Sequence, residues 1–469
     1  MANYATMRFL QISTQTNYTA DTMKKRLSVI CLALCCLFSL AVLGACVPPQ
    51  PEPPDEPTQS IAGWGIFTEA DFIKANGTVL RKNSGSGDPI TLRGVNAGGL
   101  YVTEQWMSPV RGTNGGYTDH KDVTNLFVER FGAEGAVDLW EYYRQNFWTE
   151  DDFRICQEMG MNSIRLPFTY MTLDPDYNNV ARIEGEKYNF NELDWFVETA
   201  ANYGIYTILD MHGAYGSQNG QDHSGESLYR EQVDFYTNEE NKNKTTEMWK
   251  AIAEHYKGNP AVAGYDLLNE PGEKAESTKR YHWDYFDVLY DAIRSVDEDH
   301  VIIMESCWDG NNLPQPRDYN WQNVMYSFHN YTSQYEVAGH MQHMRNKLNG
   351  VHAQNFGVPV HMGEFTAYNN EESWKQTMEL FNAYGWSWHN WFYKISGPNA
   401  RRYGGWGIFV STCDNVQAQT DDWDTILDKW YRIDTAHEDF QMYTFESGNT
   451  LYAVLQRGYT ETPNYEALQ

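Results

Sequence analysis

Short apolar runs recur along most of this chain, and nearly all of them close on a polar side chain. They are Ile90–Asn96, Ser163–Pro167, Tyr206–His212, Val262–Glu270, Val301–Glu305, Val324–Tyr331, Val358–Glu364 and Trp386–Tyr393. Runs of this length, rich in β-branched and aromatic residues, predict strands buried on both faces. Between them, apolar positions spaced three and four apart predict helices over Asp151–Met159, Leu193–Tyr203, Thr245–His255, Tyr281–Val296 and Ser373–Tyr384. Only Trp308–Asn323, between the fifth and sixth runs, carries hardly any helical pattern. Ahead of the first run, Phe72–Asn83 alternates around Asn76-Gly77 and predicts a β-hairpin. Eight strand-and-helix units over about 300 residues predict an α/β fold, a closed (β/α)8 TIM barrel with its site at the C-terminal strand ends. An open doubly wound sheet is the alternative. Against it, no Gly-rich phosphate loop follows any strand, and Gly94-Val-Asn-Ala-Gly-Gly99 lacks the dinucleotide spacing.

Taken in order, the strands end in Asn96, Arg165, His212, Asn269 with Glu270, Glu305, His329 with Tyr331, Glu364 and Trp391. A barrel brings these to one mouth. Each alone has a structural explanation, such as a paired arginine or a satisfied core histidine, but packing does not explain polar side chains on nearly every strand. Pro271 forbids strand pairing just after Glu270 and so leaves that carboxylate at a strand end. With Glu364 on another strand, the pair suggests acid and base chemistry.

Composition narrows the partners. A formal charge of −28 argues against nucleic acid or an anionic membrane face. Aromatic residues make up 15% of the chain, including 16 Trp and 32 Tyr, which favours surfaces that stack on flat apolar faces such as sugar rings. Met23-Lys-Lys-Arg followed by the apolar run Leu27–Leu43 has the form of a secretory signal over residues 1–45, with Met23 as an alternative start. The run ends in Leu43-Gly-Ala-Cys46, which resembles a bacterial lipobox and implies a lipid anchor on Cys46 at the cell surface; a single membrane span is the other reading. Residues 46–60 read as a proline-rich acidic tether, and residues 61–469 as one domain, expected to be a monomer. Cys156, Cys307 and Cys413 form neither a disulfide framework nor a metal spacing. His340 and His343 lack a carboxylate at ligand spacing, and Asp421 and Asp422 lack a calcium loop, so no metal and no cofactor is expected. Asp297-Glu298-Asp299 reads as a solvated helix end, and Asp434–Gln469 as elements that cap the barrel.

Tyr265-Asp-Leu-Leu-Asn269-Glu270-Pro271 resembles the signature of glycoside hydrolase family 5. Arg165-Leu-Pro, Asp210-Met-His212-Gly, His329-Asn-Tyr331, Gly363-Glu364-Phe and Trp391 match its other motifs in order, over roughly Leu92 to Lys394. Leu92-Arg-Gly-Val-Asn-Ala-Gly-Gly99 and His212-Gly-Ala-Tyr-Gly-Ser-Gln-Asn-Gly220 resemble its exo-β-1,3-glucanase branch. The resemblance implies a retaining β-glycosidase acting on β-glucan, with Glu270 as acid/base and Glu364 as nucleophile. It further implies that Arg165 and Tyr331 keep Glu364 ionised, that Asn269 holds the sugar 2-hydroxyl, that His212 and His329 order the site, and that Trp391 stacks under the reacting ring. Of the two glutamates, one is expected to stay protonated to serve as the acid. By similarity to the branch, Glu104 would bind hydroxyls at the non-reducing end. The chain departs from the branch at Gln221 and Leu100, where aromatic residues are expected; Trp308 and Tyr335 are candidates for a replacement platform. An endo-β-1,4-glucanase or mannanase of the same family, and a catalytically silent glycan-binding lipoprotein, are the alternatives.

Overall fold

Every one of the eight apolar runs forms a strand, and the strands pair in chain order around a closed parallel ring. The computed structural model describes residues 62–112, 118–228, 233–272, 279–306, 312–398 and 400–465. The barrel strands are β1 (Arg93–Asn96), β2 (Ser163–Thr169), β3 (Tyr206–Gly213), β4 (Val262–Asp266), β5 (Val301–Glu305), β6 (Val324–Asn330), β7 (Val360–Phe365) and β8 (Ser387–Asn390), with β8 closing onto β1. Strands β2 and β3 are buried along their whole length, as their unbroken apolar character requires. Closure of β1 onto β2 depends on Gly94, where a Cβ would lie 1.7 Å from the carbonyl oxygen of Ser163.

Around the barrel run helices α1 (His120–Phe147), α2 (Glu150–Glu158), α3 (Asn191–Asn202), α4 (Glu239–Tyr256), α5 (Lys279–Arg294), α6 (Val337–Gln354), α7 (Glu371–Tyr384), α8 (Trp423–Tyr431) and α9 (Leu451–Thr460). Asn238 and Asn370 cap α4 and α7 by accepting from the amides of Asn241 and Ser373. Among the described residues no α-helix lies between β5 and β6, and a 3-10 turn, Pro316–Asp318, stands there instead. The expected hairpin pairs Lys74–Asn76 with Val79–Arg81 through a turn at Gly77. It lies at the N-terminal ends of the barrel strands, where Ala75 donates to Asn323 just before β6 and Tyr206 at the start of β3 donates to the carbonyl of Asp71.

Three differences from the sequence pattern matter for the site. Strand β4 ends at Asp266, four residues before Glu270, because the backbone leaves the ladder while the apolar run continues through Leu267 and Leu268. The run Ile90–Asn96 is divided: Pro89–Ile90 joins the hairpin sheet, and only Arg93–Asn96 enters the barrel. The segment after β8 is a long insertion. It pairs Lys394–Ser396, Phe409–Ser411 and Phe440–Met442 into a small sheet before the chain returns as α9 beside α7. Tyr459 of α9 stacks on Trp388 at 4.9 Å and donates to Asn390, so α9 serves as the helix of the eighth unit.

Candidate active site

Arg165, in the middle of β2 and fully buried, is the hub from which the site is built. Its guanidinium has five N–H groups, and each meets a different acceptor. Nε donates to Asp266 Oδ2 at 2.9 Å, Nη1 to Asn96 Oδ1 at 3.0 Å and Glu364 Oε1 at 2.9 Å, and Nη2 to Asn269 Oδ1 at 3.0 Å and Glu305 Oε1 at 2.5 Å. Asp210 Oδ1 lies 3.1 Å from Nη2. Six strand-end residues from five strands or their ends are thus fixed by one cation. Asn96 does not reach the pocket; its amide donates to the carbonyls of Gly363 and Asn390 and ties β1 to β7 and β8.

Glu364 in β7 accepts on both oxygens, from Arg165 and from the Tyr331 hydroxyl at 2.7 Å. Glu270 follows β4 in a left-handed bend, with φ +40°. Its backbone N–H donates to Glu305 Oε2 at 2.7 Å, its Oε1 meets His329 Nδ1 at 2.8 Å, and its Oε2 lies 3.4 Å from His223 Nε2. Oxygens of Glu270 and Glu364 and a ring nitrogen of His329 lie within 4.8 Å of one another. The two glutamates singled out in the sequence therefore converge on one ring nitrogen, Nδ1 of His329.

Burial and neighbours sort the charges. Burial disfavours a charged His329, but Glu305 and Glu364 outweigh it and hold the imidazolium well above the ordinary histidine value. Burial likewise opposes charge on Glu305, yet His329 and Arg165 pull its carboxyl down to about 2. Glu270 is drawn below the usual carboxylate range against burial by the His329 hydrogen bond and by His223. These neighbours favour the carboxylate form of Glu270 beside a positively charged His329, the opposite direction from that expected of a protonated acid at this position. Asp210 is pushed up to about 8 by burial despite Arg165, and burial together with Glu305 pushes Asp266 well up. Burial holds His212 down at about 3, so it is neutral; its Nδ1 and Asp210 Oδ2 are 2.7 Å apart, and its ring stacks on Trp391.

The mouth opens into a cavity of about 320 Å³ lined by Glu270, Glu364, His212, Asn269, Tyr331, Trp391 and Glu104, as the sequence led us to expect. Asn269 has its carbonyl taken by Arg165, which leaves its donor side for the cavity. Glu104 is buried, and burial with Asp222 nearby raises its carboxyl well above the ordinary value; Trp106 Nε1 donates to it at 2.8 Å. Four lining residues were missed: Trp106, His223, Tyr403 and Trp406. They stand on loops or, for His223 and Tyr403, on short 3-10 turns, where no periodicity points inward. The only hint was the aromatic and glycine-rich stretch Tyr403-Gly-Gly-Trp406. Trp406 stacks on Tyr331 at 5.4 Å and meets Trp106 edge-on at 5.0 Å, so the insertion after β8 supplies an aromatic wall.

Of the replacement platforms considered, Trp308 lies outside the described residues, as do Cys46, Cys307, the signal and the whole of the tether. Tyr335 is exposed and packs on Tyr368 outside the cavity. Gln221 is exposed and Leu100 is buried, and neither lines the cavity. His340 is buried beside Thr377 Oγ1. Asp421 accepts from Lys429, and Asp422 caps α8 through the amide of Thr425, so both have structural partners. Asp297 corrects the reading of a solvated helix end: it is buried, accepts from Tyr265 and lies 2.5 Å from His300 Nδ1. Asp210, Asp266 and Glu305 have the spacing of a metal cluster, but the Arg165 guanidinium lies among them and supplies the positive charge.

A family model described as Cellulase (glycosyl hydrolase family 5) matches residues 123–397. The chain is 27% identical over 360 residues to a beta-xylosidase of Phanerodontia chrysosporium, covering 70% of this chain and 71% of that protein. It is 28% identical over 260 residues to a probable glucan 1,3-beta-glucosidase A of Aspergillus fumigatus, covering 54% of this chain and 59% of that protein. To a glucan 1,3-beta-glucosidase of Candida oleophila it is 30% identical over 247 residues, 50% of this chain and 54% of that one. The chain thus spans little more than half the length of these two glucosidases. A solved endogalactoceramidase shares the fold with a TM-score of 0.53 at 18% identity, covering 77% of this chain and 84% of that one.

Proposed function

The chain belongs to glycosyl hydrolase family 5 and is an O-glycosyl hydrolase, and we propose that it cleaves β-glucan, with Glu364 as nucleophile and Glu270 as acid/base. The observation that carries this reading is the approach of the two carboxylates to within 4.8 Å. Retaining glycosidases hold their carboxyl groups about 5–5.5 Å apart, whereas inverting enzymes leave about 6.5–9.5 Å for a water. Glu364 attacks the anomeric carbon while the leaving oxygen takes the proton of the Glu270–His329 pair, giving a glycosyl ester on Glu364. Glu270 then accepts a proton from water as that water attacks the ester, and the β-configured sugar departs. Arg165 and Tyr331 keep the attacking carboxylate in line, and Asn269 presents a donor to the bound ring.

The exo-β-1,3 mode is supported by the two relatives named glucan 1,3-beta-glucosidase and by the position of Glu104 and Trp106, whose loop bounds the cavity. The beta-xylosidase relative, which covers more of the chain, favours a second reading in which the ring bound is a pentose. Incubation with laminarin, cellulose oligomers, mixed-linkage glucan, mannan and xylo-oligosaccharides separates these readings. Glucose alone from laminarin supports the first; xylose from the last supports the second; oligomers from another polymer indicate endo action. Glu270→Gln and Glu364→Ala should each abolish turnover with the fold intact, and wild-type activity in either refutes the assignment. Binding without hydrolysis across all these glycans and a panel of other β-glycosides would favour a silent binding module.

For location, the lipobox-like Leu43-Gly-Ala-Cys46 and the tether support a surface lipoprotein. Cys46→Ser should move the protein from the membrane fraction to the soluble one; an unchanged distribution argues against the anchor.

A further inference from the structure

Glu305 ends β5 fully buried at the floor of the site, and no bond-making step above uses it. Its two oxygens nevertheless meet three parts of the machinery. Oε1 accepts from Arg165 Nη2 and lies 3.3 Å from His329 Nε2; Oε2 accepts the backbone N–H of Glu270 at 2.7 Å. The last bond restrains a residue in the left-handed region, which a glutamate keeps only where its surroundings hold it there. We infer that Glu305 is a positioning residue for the acid/base, pinning the bend that aims Glu270 into the cavity and, across the imidazole, fixing the proton that the Glu270–His329 pair delivers. This rests on the reading of Glu270 as acid/base.

The geometry makes the two actions inseparable. His329 bridges the carboxylates, with Nδ1 on Glu270 and Nε2 toward Glu305, so a charge lost from one side of the ring alters its hold on hydrogen at the other. The other charged or titratable groups around His329 are few and fixed. Glu364 lies 3.4 Å from Nδ1, Arg165 stands behind Glu305, Asp210 and His361 approach from β3 and β7, and Lys347 of α6 donates to the His329 carbonyl. His223 reaches the ring only through Glu270. None but Glu305 both contacts the imidazole and holds the Glu270 main chain.

Glu305→Gln keeps the size and an acceptor for the Glu270 amide but removes the charge. Its alkaline limb of kcat/KM should move down by about one pH unit or more, since a lost neighbouring carboxylate weakens the imidazolium. Its kcat at the optimum should fall about tenfold, with KM within about twofold. Glu305→Leu, which also frees the bend, should lose at least about a further tenfold in kcat. An unmoved limb in a folded Glu305→Gln, or a loss expressed in KM alone, overturns the inference. Should that variant not fold, the imidazole nitrogen shifts of His329 in the wild-type protein decide: an imidazolium through pH 7 is expected, and a neutral ring overturns it. Full activity of Glu270→Gln would instead bring down the reading beneath it, so the two failures are distinguishable.

Discussion

Arg165→Lys keeps the positive charge of the hub and removes its fork, which isolates what geometry contributes. The guanidinium places five N–H groups on Asp266, Asn96, Glu364, Asn269 and Glu305, all at 3.0 Å or less. An ammonium has three N–H groups radiating from one point, so at least two of those five buried acceptors lose their donor. A buried acceptor left unmade costs about 1–3 kcal/mol, so the variant should lose about 2–6 kcal/mol. That is a large share of the roughly 5–15 kcal/mol that holds a typical fold together. Urea unfolding at pH 7, followed by tryptophan fluorescence, reads the loss as a lower midpoint with the slope retained. Activity should fall further than stability explains. Glu364 and Asn269 both face the cavity and both take their orientation from this side chain, and a displacement of about 1 Å at a reacting group can cost roughly 10²-fold in rate. An Arg165→Lys protein within about 1 kcal/mol of wild type and still turning over an aryl β-glycoside at half the normal rate would falsify the view that the fork organises the site.

Tyr331→Phe removes only the 2.7 Å hydrogen bond to Glu364; kcat/KM should fall about 10- to 100-fold, as for a bond to a charged group, and a loss under about twofold tells against the Tyr331–Glu364 contact in catalysis. Trp406→Ala strips the wall that stacks on Tyr331 and should raise KM about three- to tenfold with kcat less affected; an unchanged KM means that the sugar does not meet this ring. Stability should fall as pH drops from about 6.5 toward about 3. His120, His212 and His389 are held down at about 4, 3 and 3 by burial, so the unfolded chain takes up protons first. Glu305, down at about 2, adds a loss below about pH 4.3, while Asp210, up at about 8, works in the opposite sense and offsets part of it. Urea midpoints at pH 7, 5 and 4 test the sign, and a midpoint rising toward pH 4 contradicts it.

Much of the site was legible because strand-end chemistry keeps its order in the sequence. Asn96, His212, Glu364 and Trp391 are found where the ends of apolar runs put them, since a parallel barrel converts sequence order into a ring, whereas Arg165 lies inside β2, which runs on to Thr169. Glu270 reaches the cavity but not from a strand end: it sits in a left-handed bend whose N–H donates to Glu305, 35 residues away, a contact that no local pattern encodes. Helix α1 escaped notice for a physical reason. Val123 and Phe127 keep one helical phase, Gly132 takes φ +81°, and the buried positions resume in another phase at Ala136, Leu139 and Trp140. The charged triplet at Asp297 misled because one of its members turns inward, where it accepts from the amides of Asp299 and His300. Trp106, His223, Tyr403 and Trp406 lie on loops or short 3-10 turns, and only the closed barrel brings those connections to one cavity.

The charge pattern at the floor of the site follows from how many donors each carboxylate meets. Glu305 faces Arg165, His329 and the amide of Glu270, and it stays ionised although fully buried. Asp266 has one oxygen on Arg165 and the other without a partner, and burial wins there. Asp210 shares Arg165 with three other acidic side chains, Asp266, Glu305 and Glu364, and its second oxygen with a neutral histidine, and its carboxyl is pushed up as well. A single guanidinium cannot hold every carboxylate around it in the charged form, so negative charge collects where a second cation is available, on the side of Glu270 and His329. The network that aims the two glutamates also fixes where protons reside. Substitutions at Arg165, Glu305 and His329 should therefore act as one unit rather than as independent losses.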